Sequence, residues 1–483
     1  MKTRVYLRAD GHNKMGLGHI IRSLALAKML EQEFNCQFIV RNPSQAVADL
    51  IKEEGFCLIT LNDSILPPHE AQFIAHHFLK GDEIIVLDGY HFDTKYQQQI
   101  RAAAGKLVCI DDIHETHFVA DAIINHTSGI QAKAYSAATY TQFHLGLAYM
   151  LLRQPFLQAA QQRMATEAGE STQQTAFICM GGADPNNAVL QVLQECEKKA
   201  AVQVCNVVIG SAFLHQESLK VFQQNSRLRV NVFSNLNADN MVVLMARCDF
   251  AICPPSSVAL EYLCVGHQLY LLQTADNQAY LHQYLRENGL ALGWEDFKSE
   301  EVKALDRSSL DELIDGRSDR RLTKLFRELD YQMNCRFRMA DEKDMLLYFK
   351  WANEPETRAQ SFHPEPIKLE DHRRWFERKM KDPKVILYIL EYKGQAIGQI
   401  RFAVNGVAVL SYSIDPSFRG RSLGKYLLKG GLAQLQLDMD RSINIVGYVK
   451  EENIASNKTL ASLGFVQMPS DKDSSFKYLL QAS

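Results

Sequence analysis

Residues 10–22 read Asp10-Gly11-His12-Asn13-Lys14-Met15-Gly16-Leu17-Gly18-His19-Ile20-Ile21-Arg22. This stretch follows an apolar, strand-like run, Val5-Tyr6-Leu7, and leads into a helix-like run from Ile20 to Leu30. Glycines at a strand-to-helix turn let the backbone come close to a phosphate, and the amino end of the helix favours the negative charge. The stretch therefore predicts a phosphate-binding turn in an α/β domain.

A second turn of this kind lies far downstream. After a strand-like run that ends at Ile414, the chain reads Asp415-Pro416-Ser417-Phe418-Arg419-Gly420-Arg421-Ser422-Leu423-Gly424-Lys425. Two different phosphate-binding turns in one polypeptide predict that two enzymes are fused.

The composition is that of a globular protein. The chain has 483 residues, of which 46% are hydrophobic and 23% charged, and this length predicts about three domains. A net charge of −3 gives no reason to expect nucleic acid as a partner. No apolar run approaches the ~20 residues that span a bilayer, and the start Met1-Lys2-Thr3-Arg4 lacks secretory-signal features. We expect a cytoplasmic protein that does not act on membranes.

The ten cysteines are scattered from Cys36 to Cys335. They form no Cys-x-x-Cys pair and no zinc-finger spacing with histidine, so we expect buried, reduced thiols and no metal site.

The first ~150 residues alternate apolar runs with helical patterns, which predicts βαβ units and a mostly parallel sheet. Asp88, Tyr90 and Asp112 follow strand-like runs. Ligands of open α/β sheets lie beyond the carboxyl ends of strands, so these side chains are plausible pocket residues, although aspartates also cap helices. The predicted strands are Arg4–Arg8, Gln37–Val40, Glu83–Leu87, Lys106–Ile110 and Ala122–Ile124.

A second α/β unit is predicted after the polar stretch 158–175, with its own strand-to-turn segment at residues 176–186. Further strand-like runs are Val207–Ile209, Phe250–Cys253 and Gln268–Leu272. The charged residues from Asp296 to Asn334 predict a helical linker. Beyond Cys335 the pattern changes to a helix-rich opening, with helices expected over Asp341–Arg358 and Leu369–Lys381, and then to strands. The predicted domains are residues 1–155, 156–300 and 336–483, with a linker at 301–335.

Taken alone, Gly16-x-Gly18 is also compatible with an ordinary tight turn, and His19 with a hydrogen-bonded structural histidine. The imidazole nonetheless suits a general base near neutral pH. Arg8-Ala9-Asp10 and the run from Gly16 to Arg22 resemble the opening of the UDP-sugar hydrolases of pseudaminic acid biosynthesis. The resemblance continues in Met180-Gly181-Gly182-Ala183-Asp184-Pro185-Asn186, Asn240-Met241, residues 249–261 and Asp276-Asn277-Gln278.

This resemblance implies two Rossmann-like halves in a GT-B-like, MurG-type arrangement. It implies hydrolysis of UDP-2,4-diacetamido-2,4,6-trideoxy-β-L-altropyranose to free sugar and UDP without a metal, with His19 as the base that deprotonates the attacking water. The UDP-sugar would contact Asp10, Gly16, Gly18, Arg22, Tyr90, Gly181, Gly182, Asp184, Ser256, Ser257, Glu261, Asn277 and Gln278.

Several of these residues have plainer interpretations. Glu261 is equally compatible with a solvated helix glutamate, Asn277 with a loop cap, and Asp184 with a helix start. The chain also departs from the family at Pro254-Pro255, where a Gly/Ser-rich turn is common and where proline has no N–H to donate.

The segment from Ile414 to Leu428 resembles the pyrophosphate loop of the GNAT N-acetyltransferases, with Ser422 in place of the middle glycine. A later block from Asn453 to Phe465 matches a second pattern of that superfamily. The resemblance implies a mixed α/β fold and acetyl-CoA as co-substrate, with a backbone N–H near Ser413 holding the oxyanion. Its acetyl-CoA contacts would be Ile414, Arg419, Gly420, Arg421, Ser422, Leu423, Gly424, Lys425 and Asn453.

Many GNAT enzymes protonate the leaving thiolate with a tyrosine at the position of Leu460, so the acid here is expected to be Tyr448 or water. The stretch Trp351-Ala352-Asn353, with Arg358, His372 and Trp375, resembles the acceptor side of the pseudaminic-pathway and ribosomal-protein acetyltransferases, although Trp375 is also compatible with a core position.

Together the two resemblances imply a bifunctional enzyme that acts on consecutive steps with small-molecule partners, UDP-sugar and acetyl-CoA. It would N-acetylate a UDP-4-amino-4,6-dideoxy-altrose derivative and then hydrolyse the product. Two alternatives stay open: a glycosyltransferase-like N-terminal half, or a non-catalytic sugar-nucleotide-binding half fused to a protein N-acetyltransferase.

Overall fold

The computed structural model describes residues 2–11, 17–127, 129–163, 173–210, 212–299, 310–439 and 442–481. The chain divides into two compact units, Met1–Asp330 and Tyr331–Ser483. Within the described ranges, no helix is both long and apolar enough to cross a membrane. All ten cysteines are free, and all but Cys57 are buried.

The first unit begins with a seven-stranded sheet in the order β3-β2-β1-β4-β5-β7-β9. Every pair of neighbours is parallel. Strands such as β4, in which every residue is buried, are typical of a sheet covered by helices on both faces. The strands are β1 (Arg4–Ala9), β2 (Asn35–Arg41), β3 (Cys57–Leu61), β4 (Ile84–Asp88), β5 (Lys106–Ile110), β7 (Ala122–Asn125) and β9 (Gln142–Leu145), with β6 (His117–Phe118) and β8 (Ser136–Ala137) as a separate pair; the helices are α1 (Gly18–Leu30), α2 (Gln45–Glu53), α3 (Glu70–Phe78) and α4 (Thr94–Ala103).

A six-stranded parallel sheet follows in the order β12-β11-β10-β13-β14-β15. In both sheets the strand order reverses beside the first strand, which is the place where doubly wound folds bind ligands. The strands are β10 (Gln174–Ile178), β11 (Val202–Ile209), β12 (Arg229–Ser234), β13 (Phe250–Cys253), β14 (Gln268–Leu271) and β15 (Leu292–Gly293); the helices are α5 (Gln154–Gln162), α6 (Ala188–Lys198), α7 (Gln216–Asn225), α8 (Ala238–Ala246), α9 (Ser257–Val265), α10 (Ala279–Glu287), α11 (Trp294–Lys298) and α12 (Leu310–Leu313).

The linker predicted at residues 301–335 includes a long helix, α13 (Ser318–Asn334), while residues 301–309 lie outside the described ranges. The helix packs on the first unit: Phe326 is fully buried and its ring lies 6.1 Å from that of Phe34. Thr323 donates to the carbonyl of Met29 at 3.1 Å. The residues of α13 up to Asp330 therefore belong to the first unit, because their apolar face needs a partner.

The second unit is a seven-stranded mixed sheet in the order β16-β17-β18-β19-β20-β22-β21. Its pairings are antiparallel except for β19 with β20. The helix predicted over Asp341–Arg358 is divided in two, because Pro355 starts a new helix after Glu354. The strands are β16 (Cys335–Met339), β17 (Val385–Tyr392), β18 (Gln395–Asn405), β19 (Val407–Ile414), β20 (Ile445–Lys450), β21 (Val466–Met468) and β22 (Ser475–Leu480); the helices are α14 (Met345–Ala352), α15 (Pro355–Ala359), α16 (Leu369–Met380), α17 (Leu423–Asp438) and α18 (Ile454–Ala461).

Candidate functional site

A buried histidine–aspartate pair lies at the carboxyl end of the first sheet. His19 stands in the first turn of α1, which follows β1, and Asp88 is the last residue of β4, the neighbour of β1. His19 Nδ1 lies 2.7 Å from Asp88 Oδ1. Asp88 is fully buried, whereas His19 retains 7% exposure, so within the described part of the chain the pair is open to solvent through the imidazole.

Arg22 and Ser23, one turn along α1, complete the surroundings of the Asp88 carboxylate. Arg22 Nη2 and Nε donate to it at 2.5 and 2.8 Å, and Ser23 Oγ donates at 3.1 Å. Burial by itself would raise the pKa of Asp88, but the Arg22 charge and the His19 hydrogen bond outweigh it and hold that pKa at about 2. Arg22 Nη2 also lies 2.9 Å from His19 Nδ1, but it donates to Asp88 at the shorter distance of 2.5 Å. An ionised Asp88 accepts from Nδ1–H, so we assign the imidazole proton to Nδ1, which leaves the Nε2 lone pair available.

Tyr90 and Asp112 form the rim of this site. The Tyr90 ring meets the His19 ring edge-on with 5.0 Å between centroids, and its hydroxyl donates to Asp112 at 3.2 Å. Burial and the charge of Asp112 raise the pKa of Tyr90 to about 12, while a hydrogen bond with Asn277 opposes that rise. Because Asn277 lies in the loop after β14 of the second sheet, this contact joins residues from both sheets of the first unit at one site.

Asp10 is held by protein groups. Arg8 donates to both of its oxygens, at 2.5 and 2.8 Å, and the Arg41 amide donates at 2.9 Å. Gly18 starts α1 without a side-chain cap and with open space beside its Cα. Gly16 lies outside the described residues.

The second half contributes a glycine turn and an uncapped helix. Gly181 has φ +87°, and a Cβ on Gly181 or Gly182 would meet nothing within 4 Å. A Cβ on Gly210 would lie 2.5 Å from the Gly182 backbone, so the two loops pack closely. At Ser256 and Ser257, helix α9 begins without a side-chain cap. This end of the helix carries the positive pole of its dipole.

In two of the predicted contact residues, the side-chain oxygens already accept hydrogen bonds from nearby backbone amides. Asp184 accepts from the amides of Ala188 and Val189 at 2.8 and 2.9 Å and so caps α6. Gln278 accepts from the Thr274 amide at 2.8 Å and stabilises its own turn. The backbone of these segments, rather than their side chains, is left to face a ligand.

Glu261 is buried at 6% exposure on α9 and is not the solvated glutamate that the sequence also allowed. Burial raises its pKa, and Arg153 opposes that rise. Arg153 Nη2 donates to Oε1 at 2.8 Å, and among the described residues Oε2 has no hydrogen-bond donor. A polar group that carries hydroxyls could satisfy it.

In the second unit, the loop before α17 has a backbone shape that few side chains adopt. Gly420 has φ +76° and Ser422 has φ +61°, and no side chain caps α17. Arg419 anchors the loop: its Nη2 donates to Glu354 at 2.6 Å and its Nε to the Ile414 carbonyl at 3.2 Å. The loop amides and the helix end thus form a cradle suited to an anion.

The rest of the predicted acetyl-CoA set has mixed roles. Leu423 is buried at 2% exposure and Lys425 is exposed. A Cβ added to Gly424 would lie 3.9 Å from the Tyr412 ring. The Arg421 carbonyl accepts from the Tyr331 hydroxyl at 3.0 Å. Asn453 caps α18 by accepting from the Ser456 amide at 3.1 Å.

The parallel strands β19 and β20 pair only over a short length. Their register runs from Ala408 opposite Ile445 to Leu410 opposite Gly447, although β19 continues to Ile414. The strands therefore part beyond Leu410. Among the described residues, backbone groups near Ser413 that face β20 have no partner strand there.

Leu460 is fully buried. Its position on α18 is one turn after Ser456, whose hydroxyl is hydrogen-bonded to the Tyr412 hydroxyl at 3.0 Å. Burial raises the pKa of Tyr412. Tyr448 instead lies beneath Lys472, whose Nζ is 4.1 Å from the ring centroid.

Sequence reasoning missed several residues around the first site. Ser23 donates a hydrogen bond to Asp88, and Arg153 donates one to Glu261. Burial and, to a smaller extent, the charge of Arg22 lower the pKa of His126 to about 4, so this histidine is neutral at neutral pH. Ser23 shares a helix turn with Arg22 and could have been inferred from spacing, whereas nothing local marks Arg153 or His126. Within the described ranges, no group of three or more His, Cys, Asp or Glu side chains could hold a metal ion.

Comparison with known proteins gives separate results for the two ends of the chain. Residues 335–466 match the acetyltransferase (GNAT) domain family. Among solved structures, the chain is similar to the ribosomal L7/L12 α-N-protein acetyltransferase RimL in complex with coenzyme A, with 15% identity, 31% of this chain and 94% of that chain covered, and a TM-score of 0.28.

The N-terminal region is similar to two curated proteins. One is the UDP-2,4-diacetamido-2,4,6-trideoxy-β-L-altropyranose hydrolase of Campylobacter jejuni, 24% identical over 59% of this chain and 97% of that protein. The other is the spore coat polysaccharide biosynthesis protein SpsG of Bacillus subtilis, 24% identical over 59% of this chain and 81% of that protein. Over 98% of its length the chain is also 24% identical to the protein MJ1062 of Methanocaldococcus jannaschii, of which 99% is covered.

Proposed function

Because the chain carries a GNAT acetyltransferase domain at its C-terminus, we propose that it is a bifunctional enzyme of nucleotide-sugar metabolism in pseudaminic acid biosynthesis. The second unit transfers an acetyl group to the 4-amino group of a UDP-4-amino-4,6-dideoxy-altrose derivative. The first unit then hydrolyses UDP-2,4-diacetamido-2,4,6-trideoxy-β-L-altropyranose to free sugar and UDP. The two halves of the first unit form a GT-B-like pair.

The observation that carries the hydrolase proposal is the His19–Asp88 pair, with Nδ1 2.7 Å from Oδ1. A histidine whose Nδ1 proton is held by a buried carboxylate has Nε2 in the correct state to accept a proton. His19 Nε2 takes a proton from water as the water oxygen attacks the anomeric carbon. The bond from that carbon to the UDP oxygen breaks, and the product is UDP.

The second half supports the departing UDP. The amino end of α9 and the open glycine turn at Gly181 and Gly182 supply N–H groups and a positive dipole for its charge. The free Oε2 of Glu261 accepts from ribose hydroxyls. Asp184 and Gln278 act by shaping these loops, since their side chains already cap them.

For acetyl transfer, acetyl-CoA supplies the thioester. The amides of Gly420, Arg421 and Ser422 bind its pyrophosphate at the uncapped end of α17. The amine attacks where β19 and β20 part, and a backbone N–H near Ser413 stabilises the oxyanion. Joining the two units in one chain raises the effective concentration of the intermediate at the hydrolase.

The role of the loop can be tested with two glycines of matched conformation. We expect Gly420→Ala to raise the KM for acetyl-CoA about tenfold, since a side chain at φ +76° costs roughly 1–2 kcal/mol and shifts the loop amides. Gly406→Ala, at φ +73° in the turn between β18 and β19, carries the same strain and should leave that KM unchanged. Equal KM values for the two variants would exclude the loop as the pyrophosphate site.

We assign the thiolate acid to Tyr412, whose hydroxyl reaches the face of α18 that carries Leu460. Tyr412→Phe should lower kcat for acetyl transfer about 10²-fold, the lower range for loss of a general acid, with little change in the KM for acetyl-CoA. Tyr448→Phe is the control and should stay within about twofold of wild type. Release of coenzyme A thiol measures both, and the reverse ranking would move the acid to Tyr448.

The hydrolase reaction is tested by running it in H₂¹⁸O. Attack at the anomeric carbon leaves UDP unlabelled, whereas attack at phosphorus puts ¹⁸O into UDP, and mass spectrometry separates the two. Unlabelled UDP together with free sugar as the sole sugar product supports the proposal. Transfer of the sugar to an acceptor other than water would instead favour a glycosyltransferase.

A further inference from the structure

The central strand β18 of the second unit carries an arginine that lacks an anionic partner. Arg401 lies opposite Leu387 of β17 and Ser411 of β19. Among the described residues it forms no hydrogen bond and no ion pair, and its guanidinium lies over the Trp375 ring, 5.3 Å from the centroid. Burial lowers its pKa, yet a guanidinium stays charged at neutral pH. The side chain is only half-buried, so this unpaired guanidinium stays within reach of an anionic ligand.

Other polar groups without partners lie along the same face. His372 is 3% exposed and its Nε2 is buried without a hydrogen bond, as are Arg358 Nε and one end of the Gln399 amide. The His372 ring lies 5.2 Å from the Trp375 ring. Burial lowers the pKa of His372, and the positive charge of Arg358 lowers it further. The side chains of Arg358 and His372 are therefore close. We name these five residues (Arg358, His372, Trp375, Gln399 and Arg401) the cationic cluster.

The cationic cluster borders the place where the strands part. Gln399 Nε2 donates to Ser413 Oγ at 3.2 Å, and Ser413 lies beyond the last residue of β19 that pairs with β20. Arg401 is two residues from Gln399 on the same strand, so its side chain points to the same face about 7 Å farther along. An acceptor whose amine is at Ser413 can thus reach Arg401 with another of its groups.

The charges around the cluster are mainly positive. Glu365 acts on Arg358 from the chain segment before α16, and the Tyr348 phenol acts on Arg401. The nearby carboxylates of Asp344 and Glu391 are bound to Arg338. The described part of the unit therefore leaves Arg401 with no carboxylate of its own.

We infer that the cationic cluster binds a phosphate or diphosphate group of the acetyl acceptor, with Arg401 as the main donor and the Trp375 ring supporting the Arg401 guanidinium. This rests on the proposed acetyl transfer and deepens it by naming the acceptor as a phosphate-bearing amine. Phosphates of the acceptor and of coenzyme A share this chemistry. The loop at residues 419–424 is already proposed to bind the coenzyme A pyrophosphate, so the cationic cluster is assigned to the acceptor.

The test compares three acceptors on the full chain: the UDP-linked amino sugar, the same amino sugar as its 1-phosphate, and its uncharged methyl glycoside. We expect wild type to prefer the phosphorylated amines at least tenfold in kcat/KM. Arg401→Met should remove that preference by raising the acceptor KM, while kcat/KM for the uncharged amine and the KM for acetyl-CoA stay unchanged. Arg374→Met, on exposed α16 surface and paired with Asp371 at 2.8 Å, is the control and should behave as wild type.

Three results would overturn the inference: no preference for phosphorylated amines in wild type, an equal loss for charged and uncharged amines in Arg401→Met, or a rise in the KM for acetyl-CoA. The last would assign the cluster to coenzyme A. Turnover of the 1-phosphate but not of the UDP-linked sugar would support the cluster and reject the proposed substrate.

A binding measurement needs no turnover at all. Titration with inorganic pyrophosphate should change tryptophan fluorescence in wild type through Trp375 and leave that signal flat in Arg401→Met and Trp375→Phe. The same change in Arg401→Met as in wild type would also reject the inference. Since Arg401 is half-buried and makes no hydrogen bond or ion pair among the described residues, we expect Arg401→Met to fold with a stability close to that of wild type.

Discussion

Replacing His19 with alanine should lower the rate of UDP release about 10³-fold or more while acetyl transfer stays within about twofold of wild type. General bases contribute about 10²–10⁴-fold, and the only basic atom of the buried pair that can face water is His19 Nε2, because Nδ1 is held by Asp88 at 2.7 Å. Acetyl transfer is spared since its proposed residues belong to the other compact unit. Separate assays of UDP and of coenzyme A thiol measure both rates.

Two controls sharpen this prediction. Added imidazole should restore part of the UDP release of His19→Ala, because a small base can occupy the space left by the side chain. His76→Ala, which removes an exposed imidazole of α3, should retain both activities. Loss of acetyl transfer in a folded His19→Ala protein would argue against two independent sites, and full UDP release would remove His19 from the mechanism.

Asp88→Asn should affect both catalysis and stability. The amide no longer favours Nδ1–H on His19, and such a tautomer change lowers kcat about 10⁴-fold in serine proteases; we expect at least about 10²-fold here, with little change in KM. Among the described residues, it also leaves buried Arg22 with Asp112, at 3.1 Å, as its one remaining carboxylate partner. Breaking a buried pair on one side costs about 3–5 kcal/mol, which denaturant unfolding of the first unit would report.

The matched variant is Asp112→Asn, which removes a carboxylate from the same arginine but does not touch His19. It should cost less stability and less kcat, and an effect on kcat as large as that of Asp88→Asn would contradict the assigned role of Asp88.

The lowered pKa of Asp88 also gives a pH dependence of stability. Because the folded pKa is about 2 and lies below the ordinary value of 3.8, its contribution is fully present above pH ~4 and is lost as pH falls toward 2. Asp88→Asn should therefore flatten the acid limb of the unfolding curve in that window.

The sequence predicted the interior of both parallel sheets but not their edges. Apolar runs such as β4 stand out because both faces are buried. Besides the short separate pair β6 and β8, the strands that were missed are β3, β9, β12 and β15, and these four lie at the two edges of each large sheet. An edge strand contacts one neighbour and water, so its residues need not be uniformly apolar. In β12, for example, Val230 is buried, while Arg229, Val232 and Ser234 are exposed.

In the candidate sites, residues marked by a local motif were predicted, whereas their partners from distant parts of the chain were not. His19 and the loop at Arg419–Gly424 were marked by local spacing, because glycines and a helix start occur together there. The partner at Asp88 lies 69 residues from His19, and Arg153 lies 108 residues from Glu261. Such pairs depend on which strands become neighbours, which periodicity does not reveal. Arg401 looked like an ordinary strand residue, since the absence of a partner is visible only in three dimensions.

One measurement tests the central claim most directly: mass spectrometry of the products that the full chain forms from UDP-4-amino-4,6-dideoxy-N-acetyl-altrosamine, with and without acetyl-CoA. Two activities in sequence predict free diacetamido sugar and UDP only when acetyl-CoA is present. Acetylated UDP-sugar that accumulates without release of UDP would contradict the account, because the His19–Asp88 site would then not be a hydrolase for this product.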